Sequence, residues 1–220
     1  MSQTDQLYAR LRAAILALDL APGQRLTERG LESEFEASRT PVRAALMRLD
    51  SEGLVQREGR GWAVSPIDTV EIAALAELRE AVETAAIRLS ITRASEAEVQ
   101  AVAQLLDATR PAHDEEQGVR AGADFHVELS MLSGNAFMAD AVRNAMTRLA
   151  RTRWLEVRSA DAREEAWREH REIIEAVAAR DADLASTLVA AHIRGTNERL
   201  LAFLAAERQR LRGHGVLVAR

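Results

Sequence analysis

The stretch Ser38-Arg39-Thr40-Pro41-Val42-Arg43-Ala44-Ala45-Leu46 carries two patterns at once. Val42, Ala45 and Leu46, continued by Leu49, recur at spacings of three and four and line one side of a helix with apolar groups. Arg39 and Arg43, four apart, lie together on another side. Ser38 offers the helix start, and Pro41 falls in the first turn, where its missing N–H costs little. Upstream, Leu7, Leu11, Ala14, Ile15 and Leu18 keep the same period and predict a helix over about residues 5–18, ended by Asp19-Leu20-Ala21-Pro22-Gly23. Thr27 is placed to cap a short second helix carrying Leu31 and Phe35. Downstream of Gly53, Leu54-Val55-Gln56-Arg57, a tip Glu58-Gly59-Arg60-Gly61 and Trp62-Ala63-Val64 read as a small β-hairpin.

Three helices followed by a hairpin is the winged helix-turn-helix plan, in which the last helix enters the major groove and the hairpin touches the backbone or minor groove. The residues suit that task. Arginine binds guanine bidentately or grips phosphate, and Thr40 near a helix N-terminus offers a hydroxyl and a backbone N–H to a phosphate. Pattern alone leaves a second reading open: Arg39 and Arg43 form a solvated face on an ordinary three-helix unit.

The letters go further. Leu26-Thr27-Glu28-Arg29, Leu31, the Ser38–Leu46 run, Arg48-Leu49, Glu52-Gly53-Leu54-Val55 and Gly59-Arg60-Gly61 closely resemble the DNA-binding domain of the GntR family of bacterial transcription regulators. The resemblance implies that Arg29, Arg39, Thr40 and Arg43 contact DNA, with Ser38 opening the recognition helix, and that the wing Gly59, Arg60 and Gly61 enters the adjacent minor groove. Two positions depart from the family. Glu32 stands where a small residue is usual, and Glu36 stands where the inter-helix turn usually has glycine. Glutamate is disfavoured at positive φ, and both changes add negative charge near the DNA side, which predicts weak or strongly salt-dependent binding.

Composition sets the frame around this segment. The chain has 220 residues, 47% hydrophobic and 29% charged, a balance that excludes a disordered protein and leaves material for a buried core. Only 4% is aromatic, and the helix-forming vocabulary argues against an all-β fold. With no cysteine, disulfides, thiolate metal sites and cysteine nucleophiles are excluded and a reducing compartment is indicated. The polar start and the lack of any run of about 18 apolar residues predict a soluble cytoplasmic protein with no membrane partner. All 29 basic residues are arginine. The net charge of −5 hides an uneven distribution: residues 1–66 hold nine arginines against nine acids, residues 67–220 twenty against twenty-five. The neutral first segment removes the objection that an acidic chain makes to DNA binding.

After the junction Ser65-Pro66-Ile67-Asp68-Thr69 the helical period persists and no strand signal is seen. Helices are predicted over about 70–90, 95–110, 115–132, 135–158, 161–180 and 183–212. The expected fold is mainly α: a winged helix-turn-helix over 1–66, then an all-α six-helix bundle over 67–220. His126, His170 and His192 fall on three of these helices beside apolar residues. Converging imidazoles in a bundle bind divalent transition metals, whereas separate ones are satisfied core or boundary residues. His113 and His214 lie in polar surroundings and read as solvated; Trp154 and Trp167 read as helix packing.

Glu77-Leu78-Arg79-Glu80 with Glu83, Phe125-His126 with Leu129 and Ser133-Gly134-Asn135, Glu169-His170 with Ile173-Ile174, and Ala191-His192-Ile193 resemble the FCD effector-binding domain of the FadR branch, in its six-helix, VanR-like form. The resemblance implies that the three histidines, with an aspartate one turn before the first, hold zinc, nickel or a similar ion that helps bind a small carboxylate. Here that aspartate is missing, because the position is Gly122. Asp124, two residues before His126, projects about 200° away around a straight helix, so metal affinity should be lower. Arg79 matches a pocket-facing position suited to an effector carboxylate; its other reading is a salt bridge to Glu83 at i+4. The leading expectation is a homodimeric repressor, not an enzyme, that binds an operator in double-stranded DNA and responds to a small organic acid. Two alternatives are a DNA-binding dimer without effector and a histidine-rich metal hydrolase; against the latter, no His-Glu-x-x-His motif or general base stands out.

Overall fold

The computed structural model describes residues 3–17, 19–110, 115–153, 159–213 and 218–219. Leu18, His113, Trp154 and His214 lie outside them. Backbone contacts divide the chain into two compact units, residues 1–69 with 204–220, and residues 70–203.

In the first unit, α1 (Gln3–Leu16), α2 (Glu28–Glu34) and α3 (Arg39–Ser51) follow one another, and α3 leads into the hairpin β2 (Val55–Glu58) and β3 (Gly61–Val64). The helices form where their apolar positions meet. Leu7, Leu11 and Ile15 of α1, Leu31 of α2 and Val42, Ala45, Leu46 and Leu49 of α3 bury in one core with Trp62 and Val64 of the hairpin. Thr27 caps α2 through its hydroxyl, which accepts from the Gly30 N–H at 3.0 Å. Ser38 occupies the N-cap of α3 in extended geometry, but its side chain makes no capping bond. The hairpin pairs Val55 with Val64 and Glu58 with Gly61, leaving Gly59 and Arg60 as a two-residue tip with Gly59 at φ 57°. A two-residue strand before α2, β1 (Arg25–Leu26), pairs antiparallel with β3 and completes a sheet of order β1-β3-β2. The turn after α2 places Glu36 at φ 51°. A glutamate thus occupies the left-handed region that favours glycine.

The expectation of no strand after residue 66 needs correction. Ile67–Asp68 (β4) and Val218–Ala219 (β5) form a short parallel pair. Parallel pairing of segments this far apart in sequence leaves no local signature to read.

The second unit is all helix among its described residues: α4 (Thr69–Arg93), α5 (Glu96–Ala108), α6 (Glu115–Met131), α7 (Ala136–Arg153), α8 (Ala160–Ala178) and α9 (Ala182–Gly213), the first and last running past its limits. A capping box opens α5: the Ser95 hydroxyl accepts from the Glu98 N–H, and the Glu98 carboxylate accepts from the Ser95 N–H at 2.8 Å. Ile87, Val99, Val102, Leu106, Phe125, Leu129, Ile173, Ile174, Val177, Val189 and Ile193 form its core. Three buried histidines border this core, His170 stacking on Phe125 with ring centroids 4.4 Å apart.

Candidate functional site

Two constellations stand out, one in each unit. In the first, Arg39 and Arg43 point outward from the opening turns of α3, their side chains 69% and 52% exposed. Both meet one partner: Arg39 Nε donates to Glu28 at 2.9 Å, and Arg43 donates through Nε and Nη2 at 3.1 Å each. Glu28 stands in the first turn of α2, so one carboxylate ties the starts of two helices. Hydrogen bonds from Arg43 and Arg39 hold its carboxyl down to about 2. The sequence reading quoted Glu28 but gave it no role; its signal is its place one residue after a helix cap. Arg29 and Thr40 are exposed, as are Gly59 and Arg60 at the wing tip, while Gly61 is half-buried. A Cβ on Gly61 would sit 3.3 Å from the Leu26 carbonyl oxygen, tighter than most side chains allow. The expected DNA-facing positions are therefore solvent-accessible, and Glu36 is exposed beside them.

In the second unit, α6, α8 and α9 bring His126, His170 and His192 together. All three are buried, and one nitrogen from each falls within 4.8 Å of the others. His192 Nε2 lies 3.2 Å from Nε2 of both His126 and His170. Glu83 of α4 accepts from Nδ1 of His126 at 2.7 Å, and Glu169 accepts from Nδ1 of His192 at 2.6 Å. Those two bonds set the tautomers: with Nδ1 protonated, Nε2 of each neutral ring carries only a lone pair. Burial, then the neighbouring positive and histidine groups, pushes His126 and His170 well below the usual histidine value. His192 is also lowered by burial, opposed by its bond to Glu169. Burial pushes Glu169 up, but the hydrogen bond from His192 and nearby positive charge outweigh it and hold the carboxyl below its usual value.

Lone pairs facing each other at 3.2 Å repel unless a cation lies among them. A cluster of neutral imidazoles, each of two oriented by a carboxylate, fits a divalent transition metal. The cluster contains no carboxylate ligand. Asp124 is exposed, as its helical angle from His126 requires. Gly122, buried, faces a different group: a Cβ there would meet Arg153 Nη2 at 2.7 Å and His170 Cε1 at 3.6 Å.

Arg79 makes the intrahelical bond to Glu83, Nε to Oε1 at 2.7 Å, with both side chains buried. The bond does not take it away from the site, because the other Glu83 oxygen holds His126. Its Nη2 is buried without a hydrogen-bond partner. Sequence reading found the three histidines and Arg79. It quoted Glu83 and Glu169 without giving them the task of orienting histidines, although each stood beside a flagged residue: one helical turn from Arg79 and next to His170. Arg153 gave no signal. Trp167, read as packing, is half-buried against the second core, donates Nε1–H to the Leu106 carbonyl at 3.2 Å and lies under the Arg110 guanidinium at 4.0 Å.

An exposed arginine-bearing helix with its hairpin wing, and a buried histidine site in a helical bundle, define a ligand-sensing DNA-binding regulator. Comparison with known proteins names the kind: residues 3–64 match bacterial regulatory proteins of the gntR family, residues 74–195 match the FCD domain, and the chain belongs to that family. It is 35% identical over 193 residues to an HTH-type transcriptional regulator in an unstable DNA locus of Streptomyces ambofaciens, covering 86% of this chain and 80% of the relative. It is 30% identical over 187 residues to the Nta operon transcriptional regulator of Aminobacter aminovorans, covering 82% and 86%. A GntR transcriptional regulator structure from Rhodococcus sp. RHA1 superposes with a TM-score of 0.76 at 22% identity, covering 92% and 99%, a likeness of fold. The protein is a DNA-binding transcription regulator with an FCD effector-binding domain; its family and relatives are regulators rather than enzymes. Among the described residues, no helix is long and apolar enough to cross a membrane.

Proposed function

We propose that this chain is a repressor that binds a pseudo-palindromic operator as a homodimer and is released or modulated by a small organic acid. Arg39 and Arg43 read base edges from α3, Arg29, Ser38 and Thr40 grip the backbone, and Gly59, Arg60 and Gly61 carry the wing into the minor groove. Residues 1–66 act as the DNA-binding domain and residues 67–220 as the effector-binding and dimerisation domain. Glu28 holds the two guanidinium groups side by side, which supports a shared recognition task.

The observation that carries the effector half is the meeting of three buried imidazole nitrogens, with Glu83 and Glu169 setting the tautomers of His126 and His192. His126, His170 and His192 would hold zinc or nickel, which when bound supplies a Lewis-acid seat for a carboxylate oxygen. Arg79, with an unsatisfied buried Nη2, offers that carboxylate a charge-assisted hydrogen bond. Effector binding shifts the dimer between operator-binding and released states in proportion to its differential affinity for the two.

The test selects bound fragments from genomic DNA, then titrates protein onto the best fragment while following fluorescence anisotropy. Metal analysis and a thermal-shift screen of small organic acids run alongside. Saturable, sequence-selective binding that an acid weakens, with the same acid raising the melting temperature, supports the proposal. Sequence-independent binding, or selective binding that no stabilising acid alters, refutes it.

A further inference from the structure

Beside its two arginines, α3 presents apolar groups outward. Val42, Ala45, Leu46 and Leu49 are fully buried and fix which side of the helix meets the core. At about 100° per residue, Thr40, Ala44 and Met47 lie within about 30° of the opposite direction. Ala44 is exposed, and Met47 is 59% exposed although its side chain is large and apolar. A lone exposed apolar residue is ordinary on a surface, but this one stands on the helix that carries Arg39 and Arg43. Its neighbour Arg48 does not cover it: the guanidinium lies over the Tyr8 ring at 3.7 Å and faces Asp5 at 3.7 Å and Glu52 at 3.8 Å.

Met47 sits about 40° around α3 from Arg43 and one turn, about 6 Å, further along. Helical side chains lean back toward the N-terminus, so Met47 overhangs the turn that bears Arg43. Asp50, three residues on, is exposed and carries a charge that phosphates repel, which ends the DNA-compatible stretch at Met47.

In the major groove thymine alone among the four bases presents a methyl group, and apolar side chains read it. The methionine side chain is unbranched and adapts its shape to such a contact. We propose that Met47, with the Ala44 methyl beside it, reads a thymine methyl in each operator half-site. That thymine lies within about two base pairs of the base that Arg43 contacts, because about 6 Å spans two base steps of about 3.4 Å. The inference rests on base reading by α3 and adds a second letter to it: guanine is read through charge and hydrogen bonds, thymine through apolar contact.

The test uses the full-length chain and a synthetic duplex of the operator selected from genomic DNA, with binding followed by fluorescence anisotropy. The guanine read by Arg43 is the one whose replacement by adenine no longer matters in Arg43→Ala. Thymines near it are then replaced singly by deoxyuridine, which removes the methyl group and keeps the base pairing. At one position this should weaken binding by the natural chain about fourfold per half-site, the loss of one buried methyl-sized group. Met47→Ala should bind the thymine duplex correspondingly less tightly and lose the uracil response, whereas Met47→Leu should keep it. No uracil response within about two base pairs of that guanine, or one equally large in Met47→Ala, overturns the inference and leaves Arg43 as a base reader. A changed oligomeric state of Met47→Ala in sedimentation, with the uracil response intact, assigns the residue to a contact between copies of the chain and also overturns it. A natural chain whose binding shows no guanine dependence through Arg43 overturns the α3 reading and the inference with it. Should Met47→Ala fail to fold, Met47→Gln, of similar length but polar at its tip, takes its place.

Discussion

Replacing Glu83 by alanine should be among the most damaging single changes in the second unit. Its carboxylate accepts from Arg79 Nε at 2.7 Å through one oxygen and from His126 Nδ1 at 2.7 Å through the other, with almost no solvent exposure. Removing it strands the buried Arg79 charge, whose Nη2 already has no partner, and leaves a buried imidazole N–H unsatisfied. Breaking a buried ion pair from one side costs about 3–5 kcal/mol. For a chain of this length each kcal/mol lowers the melting temperature by roughly 2–4 °C, so a fall of about 6–20 °C is expected. The companion variant Arg79→Met should also destabilise, but Glu83→Ala with Arg79→Met together should cost clearly less than the sum, because no stranded charge remains. Thermal melts followed by far-UV circular dichroism on metal-free protein measure all four corners of the cycle. A Glu83→Ala melting temperature within about 2 °C of the natural chain, or strictly additive costs, would refute the view of Glu83 as the charge-balancing hub of this site.

Other outcomes follow from the same structure. His126, His170 and His192 are all held below the ordinary histidine value of 6.5, so the unfolded chain takes up protons that the folded chain refuses. Their contribution to stability is full above pH 6.5 and is lost as pH falls below it toward the folded values. Metal-free protein should lose denaturant stability as pH falls below the ordinary histidine value, with the unfolded chain binding more protons than the folded one, and a flat profile there would contradict the burial argument. Relieving φ 51° with Glu36→Gly removes roughly 1–2 kcal/mol of backbone strain, less the extra entropy glycine loses on folding. It should raise the melting temperature slightly and, by removing a negative charge, tighten DNA binding most at low salt. Arg43→Ala leaves the buried core untouched and should melt close to the natural chain while losing operator preference; an unchanged ratio of specific to non-specific binding in a gel shift at physiological salt counts against base reading by α3.

The apolar faces of α1 and α3 and the capping signals of α2 and α5 were legible because they depend on neighbours three or four residues away. Val42, Ala45, Leu46 and Leu49 were read as one face, and all four are fully buried. The histidines were legible as core-facing positions for the same reason. Strand β1 was not, since two residues cannot display alternation, and β4 with β5 joins segments from distant parts of the chain. The double hold of Arg39 and Arg43 on Glu28 was also out of reach, because it depends on the angle at which α2 meets α3.

Read alone, the chain determined its helices, its hairpin, its family resemblance and which faces turn inward, all consequences of short-range periodicity and local steric preference. Tertiary structure decided that three imidazoles from three helices meet, that Glu83 and Glu169 orient two of them, and that Arg153 stands against Gly122. Those facts depend on how helices far apart in sequence close on one another, and side-chain convergence across such distances has no local period to betray it.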